Sequence, residues 1–399
     1  MSTLRSRTNA APGAPAHLLV QAQSALPALL SSVGAVAVAL LIGALVIALT
    51  GDDAVTAYRA LFAGAFGDRR AIAETLVAAT PLILAGLGFA VAFRAGVFNI
   101  GLEGQLVLGA LTAGLMGAFA FGIPTLLYLP LSLIAAAVAG GIWGAIPGFL
   151  KAKTGAHEVI TTIMLNYLAF RVSAAVIGAD DIFPVDPGSR ATERAAEASR
   201  LPRLLEGTRL HAGILLALVA AVILWYLLFR TTFGYRVRTV GLSRGAAAYA
   251  GIRWGRTITI AMFVSGLLAG LGGAADALGL QGRYYDVRVG YGFTAIAVGM
   301  VGRNHPAGVV LAGLLFGALS SGATRMQNAA GTSREIVQVL QGLVILSVAA
   351  LVAISHLRLG QRLLGRLPSR GTDERAHSDR AAEAALEPEL ESRPNPPAI

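Results

Sequence analysis

The chain contains no cysteine, which excludes disulfides and thiolate metal sites. Lys151 and Lys153 are its only lysines, so its net charge of +10 comes almost wholly from arginine. Both lie in Lys151-Ala152-Lys153-Thr154, preceded by Phe149-Leu150 rather than glycine, and no G-x-x-x-x-G-K-[ST] stretch occurs anywhere. The chain therefore lacks that device for cradling ATP phosphates. Charge is scarce at 14%, against about 25% in a soluble domain. No Ser/His/Asp or paired-carboxylate arrangement stands out, and His157 has no second ligand at i+3 or i+4. Enzyme chemistry, a metal site and a cofactor are not expected.

What is abundant is apolar sequence. Hydrophobic residues make up 55% of the chain, and tracts of about 18 or more recur along it. This is the pattern of an all-α, polytopic membrane protein. The arginine excess is read as membrane topology rather than nucleic-acid binding. Spans are expected at Val33–Thr50, Leu76–Phe93, Leu102–Phe121, Leu126–Leu150, Thr154–Gly178, Ala212–Phe229, Thr257–Gln281, Pro306–Thr324 and Ile336–Ile354. Phe293–Gly302 is apolar but too short to cross alone as a regular helix, so it is either the missing crossing or re-entrant. Counting it gives about ten transmembrane segments. Gly51 to Glu74 is read as a loop, and Thr154 as the N-cap of the fifth span.

Three regions follow: a cytoplasmic tail over 1–31, a membrane domain over 32–370 with a cytoplasmic loop at 230–257, and a charged, Pro-containing disordered tail over 371–399. The first span has no convincing small-residue cleavage site and is expected to act as an uncleaved signal anchor. The loop from Arg230 to Arg256 has six arginines and no acid. Alternating the spans from a cytoplasmic N-terminus puts that loop, Lys151/Lys153, and Arg358, Arg362, Arg366 and Arg370 inside, with both termini cytoplasmic. The two acid-containing loops fall outside, but so do Arg283, Arg288, Arg325 and Arg334. Hydropathy also suggests an inverted repeat, spans two to five against spans seven to ten, each half carrying a glycine-rich polar interruption.

Polar residues inside apolar tracts are the candidates for function, because an ionisable group in a bilayer costs a few kcal/mol. Asn99, Glu103 and Gln105 lie within seven residues, among Gly96, Gly101, Gly104 and Gly109. Asn166, Tyr167 and Asp276 lie within later spans. Each has two readings: lining of a substrate path, or a hydrogen bond that holds helices together. In the Arg-only loop, Ser243 is a good N-cap, Arg244 to Ala250 is alanine-rich, and Gly251 is a good helix stop. A short helix carrying Arg244, Ala246, Ala247 and Tyr249 is predicted there, either a plain membrane-surface connection or a docking element.

Five segments in this order resemble one family: FRAGVFNIGLEGQ (Phe93–Gln105), HEVITTIMLNYLA (His157–Ala169), GLSRGAAAYAGI (Gly241–Ile252), SGLLAGLGGA (Ser265–Ala274) and GFTAIAVGMVGRNHPAGVVLAGLLFG (Gly292–Gly317). The chain resembles the permease subunits of ABC importers for branched-chain amino acids, ribose-type sugars and nucleosides, and most of all the nucleoside branch. Phe98-Asn99-Ile100-Gly101 stands where sugar-transporting relatives usually carry an Asp-Leu-Ser-type motif. The resemblance implies a separate cytoplasmic ABC ATPase that receives the short loop helix in a groove. It also implies a second permease chain forming a heterodimer, and an extracytoplasmic substrate-binding lipoprotein. The rival within the class is a sugar or branched-chain amino acid permease. The rival outside it is a stand-alone secondary transporter or channel.

Overall fold

The computed structural model describes residues 34–119, 124–186, 188–286, 290–331 and 335–356. The two tails over 1–31 and 371–399 lie outside the described residues, as do Arg288 and Arg334. The chain divides into Met1–Ile345, which holds everything discussed below, and Leu346–Ile399, of which only the helical residues to His356 are described.

The described residues are helical almost throughout. In chain order the helices are α1 (Gly34–Leu49), α2 (Ala54–Phe66), α3 (Arg69–Arg94), α4 (Leu102–Ala118), α5 (Thr125–Thr154), α6 (Glu158–Ile177), α7 (Gly213–Arg230), α8 (Thr232–Leu242), α9 (Arg244–Tyr249), α10 (Trp254–Ala274), α11 (Tyr291–Val301), α12 (Pro306–Ala330) and α13 (Glu335–His356). A π-helical turn, Ala275–Gln281, prolongs α10. Two short antiparallel strands, β1 (Val185–Asp186) and β2 (Ala191–Thr192), form a hairpin between α6 and α7. Six helical segments are long and apolar enough to cross a membrane: Arg69–Arg94, Leu126–Thr154, Glu158–Ile177, Gly213–Arg230, Trp254–Gln281 and Pro306–Ala330. This is a multi-pass helical membrane protein. The expected count of about ten is not met by that measure, because α1, α4, α11 and the stretch Glu335–Ser347 are shorter apolar helices.

Three local expectations are corrected. Gly51 to Glu74 is not a loop: the Asp53 side chain caps α2 through the Val55 amide, and Asp68 caps α3 through the Ala71 amide. Helix α3 consequently begins seven residues before Leu76. Thr154 caps nothing at the start of the fifth span. It is the last residue of α5, its hydroxyl donating back to the Leu150 carbonyl, and His157 precedes the first turn of α6. The Arg-only loop contains α8 as well as the predicted short helix, because the Thr231 hydroxyl accepts from the Gly234 amide and starts a separate amphipathic turn.

Small residues set the closest packing. Gly140 and Gly144 on α5 face Gly266 and Gly270 on α10, one helical turn apart on each helix. A Cβ on Gly266 would lie 2.2 Å from the Gly140 carbonyl oxygen, so only glycine lets these backbones meet. Helix α10 packs on α3, α4 and α5, and α3 packs on α10, α11 and α12.

The bundle has two distinguishable ends. One gathers α8, α9, the end of α3 and the α11–α12 turn, where the Arg94 Nε donates to the Asn304 carbonyl at 2.6 Å. The other gathers the α2–α3 turn, the hairpin and the C-terminal part of α12. At this hairpin end Arg283 pairs with Asp186 (3.1 Å) and Arg325 with Asp68 (3.7 Å), so two of the arginines that sit awkwardly in the topology are matched by acids.

Candidate functional site

The chain does not pass smoothly from α3 into α4. Helix α3 stops at Arg94, Gly96 takes φ +75°, and the backbone runs non-helically to Gly101 before α4 begins. A second interruption separates the π-helical turn from α11, which starts after Gly290 at φ +78°. The N-termini of α4 and α11 meet: a Cβ on Gly292 would lie 2.3 Å from the Glu103 backbone nitrogen. From this junction the two helices lead to opposite ends. Gly114 and Gly117 of α4 abut Tyr284 and Ala195 at the hairpin end, and α11 leads to Asn304 beside Arg94. Helix α4 has 17 residues and α11 has 11, which together match the 28 of Trp254–Gln281. Two half-helices thus make up one membrane-length column.

A break of this kind leaves orphan backbone groups that lipid cannot satisfy. The polar residues of the apolar tract answer them. Both Glu103 carboxylate oxygens accept from backbone amides of α11's start, Gly290 at 3.0 Å and Gly292 at 2.6 Å. Two helix N-termini, each carrying partial positive charge, converge on that carboxylate. Asn99 and Gln105 form a reciprocal amide pair, at 3.0 and 3.2 Å. Asn99 also accepts from the Gly101 amide at 2.9 Å and donates to the Ser265 hydroxyl of α10 at 2.9 Å. Asn166, from α6, accepts from the Gly104 amide at 2.8 Å and donates to the Ile100 carbonyl at 3.0 Å. Asn99, Glu103, Gln105, Asn166 and Ser265 are all buried.

Four of the six predicted path residues therefore come together, and they bond the fold to itself. The other two stand apart. Tyr167 is exposed on α6, edge-on to Phe170. Asp276 lies in the π-helical turn, half-buried, with no hydrogen bond or ion pair among the described residues. Three members of the junction went unrecognised, Ser265, Gly290 and Gly292. Ser265 is the sole hydroxyl in a run of small and apolar residues, a signal that could have marked it.

The predicted short helix is present as α9. The Ser243 hydroxyl accepts from the Ala246 amide at 3.2 Å, and Gly251 at φ +69° ends the helix, the Ile252 amide bonding back to the Ala247 carbonyl. Only Ala247 of α9 is buried, in an apolar cluster with Ala92, Val97, Val240, Ile258 and Met262. Its remaining residues, Ala246 among them, are exposed. Tyr249 is 98% exposed and the neighbouring Leu242 88%. Arg244 lies over the Trp254 ring at 3.8 Å. The root of α9 is tight. A Cβ on Gly241 would lie 2.1 Å from the Arg94 carbonyl oxygen, and Gly96 faces Gly241 in turn. The start of α9 thus rests on the stretch of chain that runs into the α4 break.

Comparison with known proteins gives the family. Residues 71–349 match the family described as branched-chain amino acid transport system / permease component. The guanosine ABC transporter permease protein NupP of Bacillus subtilis is 40% identical over 343 residues, 85% of this chain and 96% of that protein. The nucleoside ABC transporter permease protein NupB of Lactococcus lactis is 37% identical, covering 77% of this chain and 87% of its own. The glucose ABC transporter permease protein TsgB13 of Haloferax volcanii is 36% identical, covering 81% and 87%. No solved structure matches the chain. A membrane bundle interrupted at paired half-helices, matched along most of its length, belongs to the permease-component family of branched-chain amino acid transport systems.

Proposed function

We propose that this chain is the membrane subunit of an ABC importer for nucleosides, moved by a separate ATPase that grips α9. The observation that carries the substrate is the 40% identity spanning 96% of a guanosine permease. A second permease chain completes the pore, and an extracytoplasmic binding lipoprotein delivers substrate at the hairpin end. The exposed Tyr249 and Leu242, in a segment with six arginines and no acid, suit a partner's groove on the cytoplasmic side.

On this reading the chain crosses ten times. The stretch 95–118 crosses as a non-helical entry plus a half-helix, α11 completes the crossing that follows α10, and α2 does not cross. The packing of α3 on α11 and α12, and of α10 on α4 and α5, supports an inverted repeat pairing α3, α4 and α5 with α10, α11 and α12. ATP-driven motion of α9 passes through Gly241 to Gly96 and through Ala247 to α10, and so reaches the junction from two sides. Glu103, Asn99, Gln105 and Asn166 hold that junction together through the cycle and do not touch substrate.

Uptake of labelled guanosine, adenosine and uridine by cells lacking the gene tests the substrate. All three unchanged, with glucose uptake lost, would replace nucleoside by hexose, a reading favoured by the 36% identity to the haloarchaeal glucose permease. A reporter fused between Arg236 and Arg253 tests the sidedness, and activity on the outer face would remove the ATPase from the scheme.

A further inference from the structure

At the hairpin end α3, α11, α12 and α13 of this one chain border an open cavity of about 1010 Å3. Its walls differ in kind. From α3 it is bordered by Val77, Ala78 and Leu82, of which Val77 and Leu82 are almost wholly buried, and from α11 by Tyr291. From α12, Ser320, Thr324 and Asn328 at i, i+4 and i+8 line it, with Ser321 and Arg325 beside them. Helix α13 presents Gln338 and Gln341 toward the same space, and the Gln341 amide donates to the Ser320 hydroxyl at 3.2 Å, tying α13 to α12. Thr324, Asn328 and Gln338 are exposed to the cavity side. Two ion pairs flank the opening: Arg209 binds Glu74 with two nitrogens at 2.9 and 2.5 Å, and Arg325 faces Asp68.

This lining has a definite chemical preference. Ligand sites of roughly 300–1,000 Å3 hold drug-sized molecules between apolar walls and a few polar groups. Here the amides and the hydroxyls both donate and accept, and the Tyr291 ring stands at the same space. A nucleoside offers a π-face to Tyr291, and base-edge and ribose groups to Thr324, Asn328 and Gln338. We infer that this cavity, within a single permease chain, is the outer binding site that receives the nucleoside before translocation. The inference rests on the nucleoside reading above, and it adds where the substrate sits and which side chains select it.

The absence of native cysteine makes the test clean. Thr324→Cys and Gln338→Cys are introduced singly into the full importer in intact cells, with Asp180→Cys in the hairpin-end loop as an accessible reference. A membrane-impermeant thiol reagent should modify all three from outside. Saturating guanosine should slow modification at 324 and 338 by about tenfold, the factor that some 1.4 kcal/mol of site occupancy corresponds to, and leave 180 unchanged. Gln338→Leu should cut guanosine uptake with the chain's membrane level unchanged. Importer that takes up guanosine normally while 324 and 338 are inert to the reagent, or are modified equally fast with guanosine present, would overturn this inference and leave the nucleoside reading standing. Wild-type importer that takes up no nucleoside would overturn both.

Discussion

The half-helix junction and the α9 lever are the two places where residues look out of character with their surroundings, in opposite senses. At the junction, polar residues sit in an apolar tract. At the lever, Tyr249 and Leu242 sit bare in an arginine-rich loop. The structure resolves the first inside the chain: Asn99, Glu103, Gln105 and Asn166 are buried and bonded to backbone or to each other. It leaves the second open, since only Ala247 of α9 is covered. Misplaced polarity in lipid is a cost that the fold itself must offset. Misplaced apolar surface in water is a cost that a partner can offset. The first therefore reports on architecture, the second on assembly.

The contrast can be broken most forcefully at Glu103. Glu103→Leu removes acceptors from two buried amides, and charge-assisted bonds are worth about 1.5–3 kcal/mol each, so detergent-solubilised protein should lose about 3 kcal/mol or more. Glu103→Gln keeps one acceptor and should recover part of that. A Glu103→Leu chain with wild-type melting temperature but no transport would return Glu103 to the substrate path.

Acid should weaken the fold at His211. His211, before α7, is held neutral by burial, its pKa pushed down to about 4, and its Nδ1 accepts from the Gly213 amide. The unfolded chain binds this proton near pH 6.5, so stability is complete above that value and falls as pH drops toward 4. The total is up to about 3 kcal/mol, at 1.36 kcal/mol per pKa unit. His211→Asn, which keeps an acceptor and cannot titrate, should flatten melting temperature against pH over that window. An unchanged slope would mean that His211 is not the source.

Gly292→Ala should cost about 1–3 kcal/mol by overpacking, because its Cβ would press on the Glu103 backbone. Thermal melting measures this, and a neutral outcome would mean the half-helices part easily. The smallest stability effect belongs to the lever. Tyr249→Ala should shift stability by less than about 0.5 kcal/mol, as for exposed sites in general. Copurification of the ATPase should nonetheless fall. Arg244→Glu should do the same by placing an acid on an arginine-only face. Full copurification of the ATPase with both variants would end the docking assignment.

Much of this was legible in the residues. Ser243 and Gly251 marked the ends of the lever to the residue, because caps are local chemistry within one turn. The glycine and polar clusters marked the break after Arg94, and the shortness of Phe293–Gly302 foretold a partial helix. The missed helix α2 shows the limit of hydropathy, since Asp53 and Asp68 cap adjoining helices yet their charge made the stretch read as a loop. Tyr167 and Asp276 look equally polar in the sequence, yet among the described residues neither hydrogen-bonds to the junction.

The sequence by itself determined that the protein lives in a membrane, where its helices are interrupted and where a short capped helix stands in the arginine-only loop, since each of these follows from composition or from neighbours within a turn. The tertiary structure alone decided what Glu103 binds. Its partners lie 187 and 189 residues away along the chain, brought within hydrogen-bond reach only because α11 returns to the start of α4. No local pattern encodes that meeting. Its physical cause is that amides left unpaired in lipid must find an acceptor wherever the packed chain supplies one.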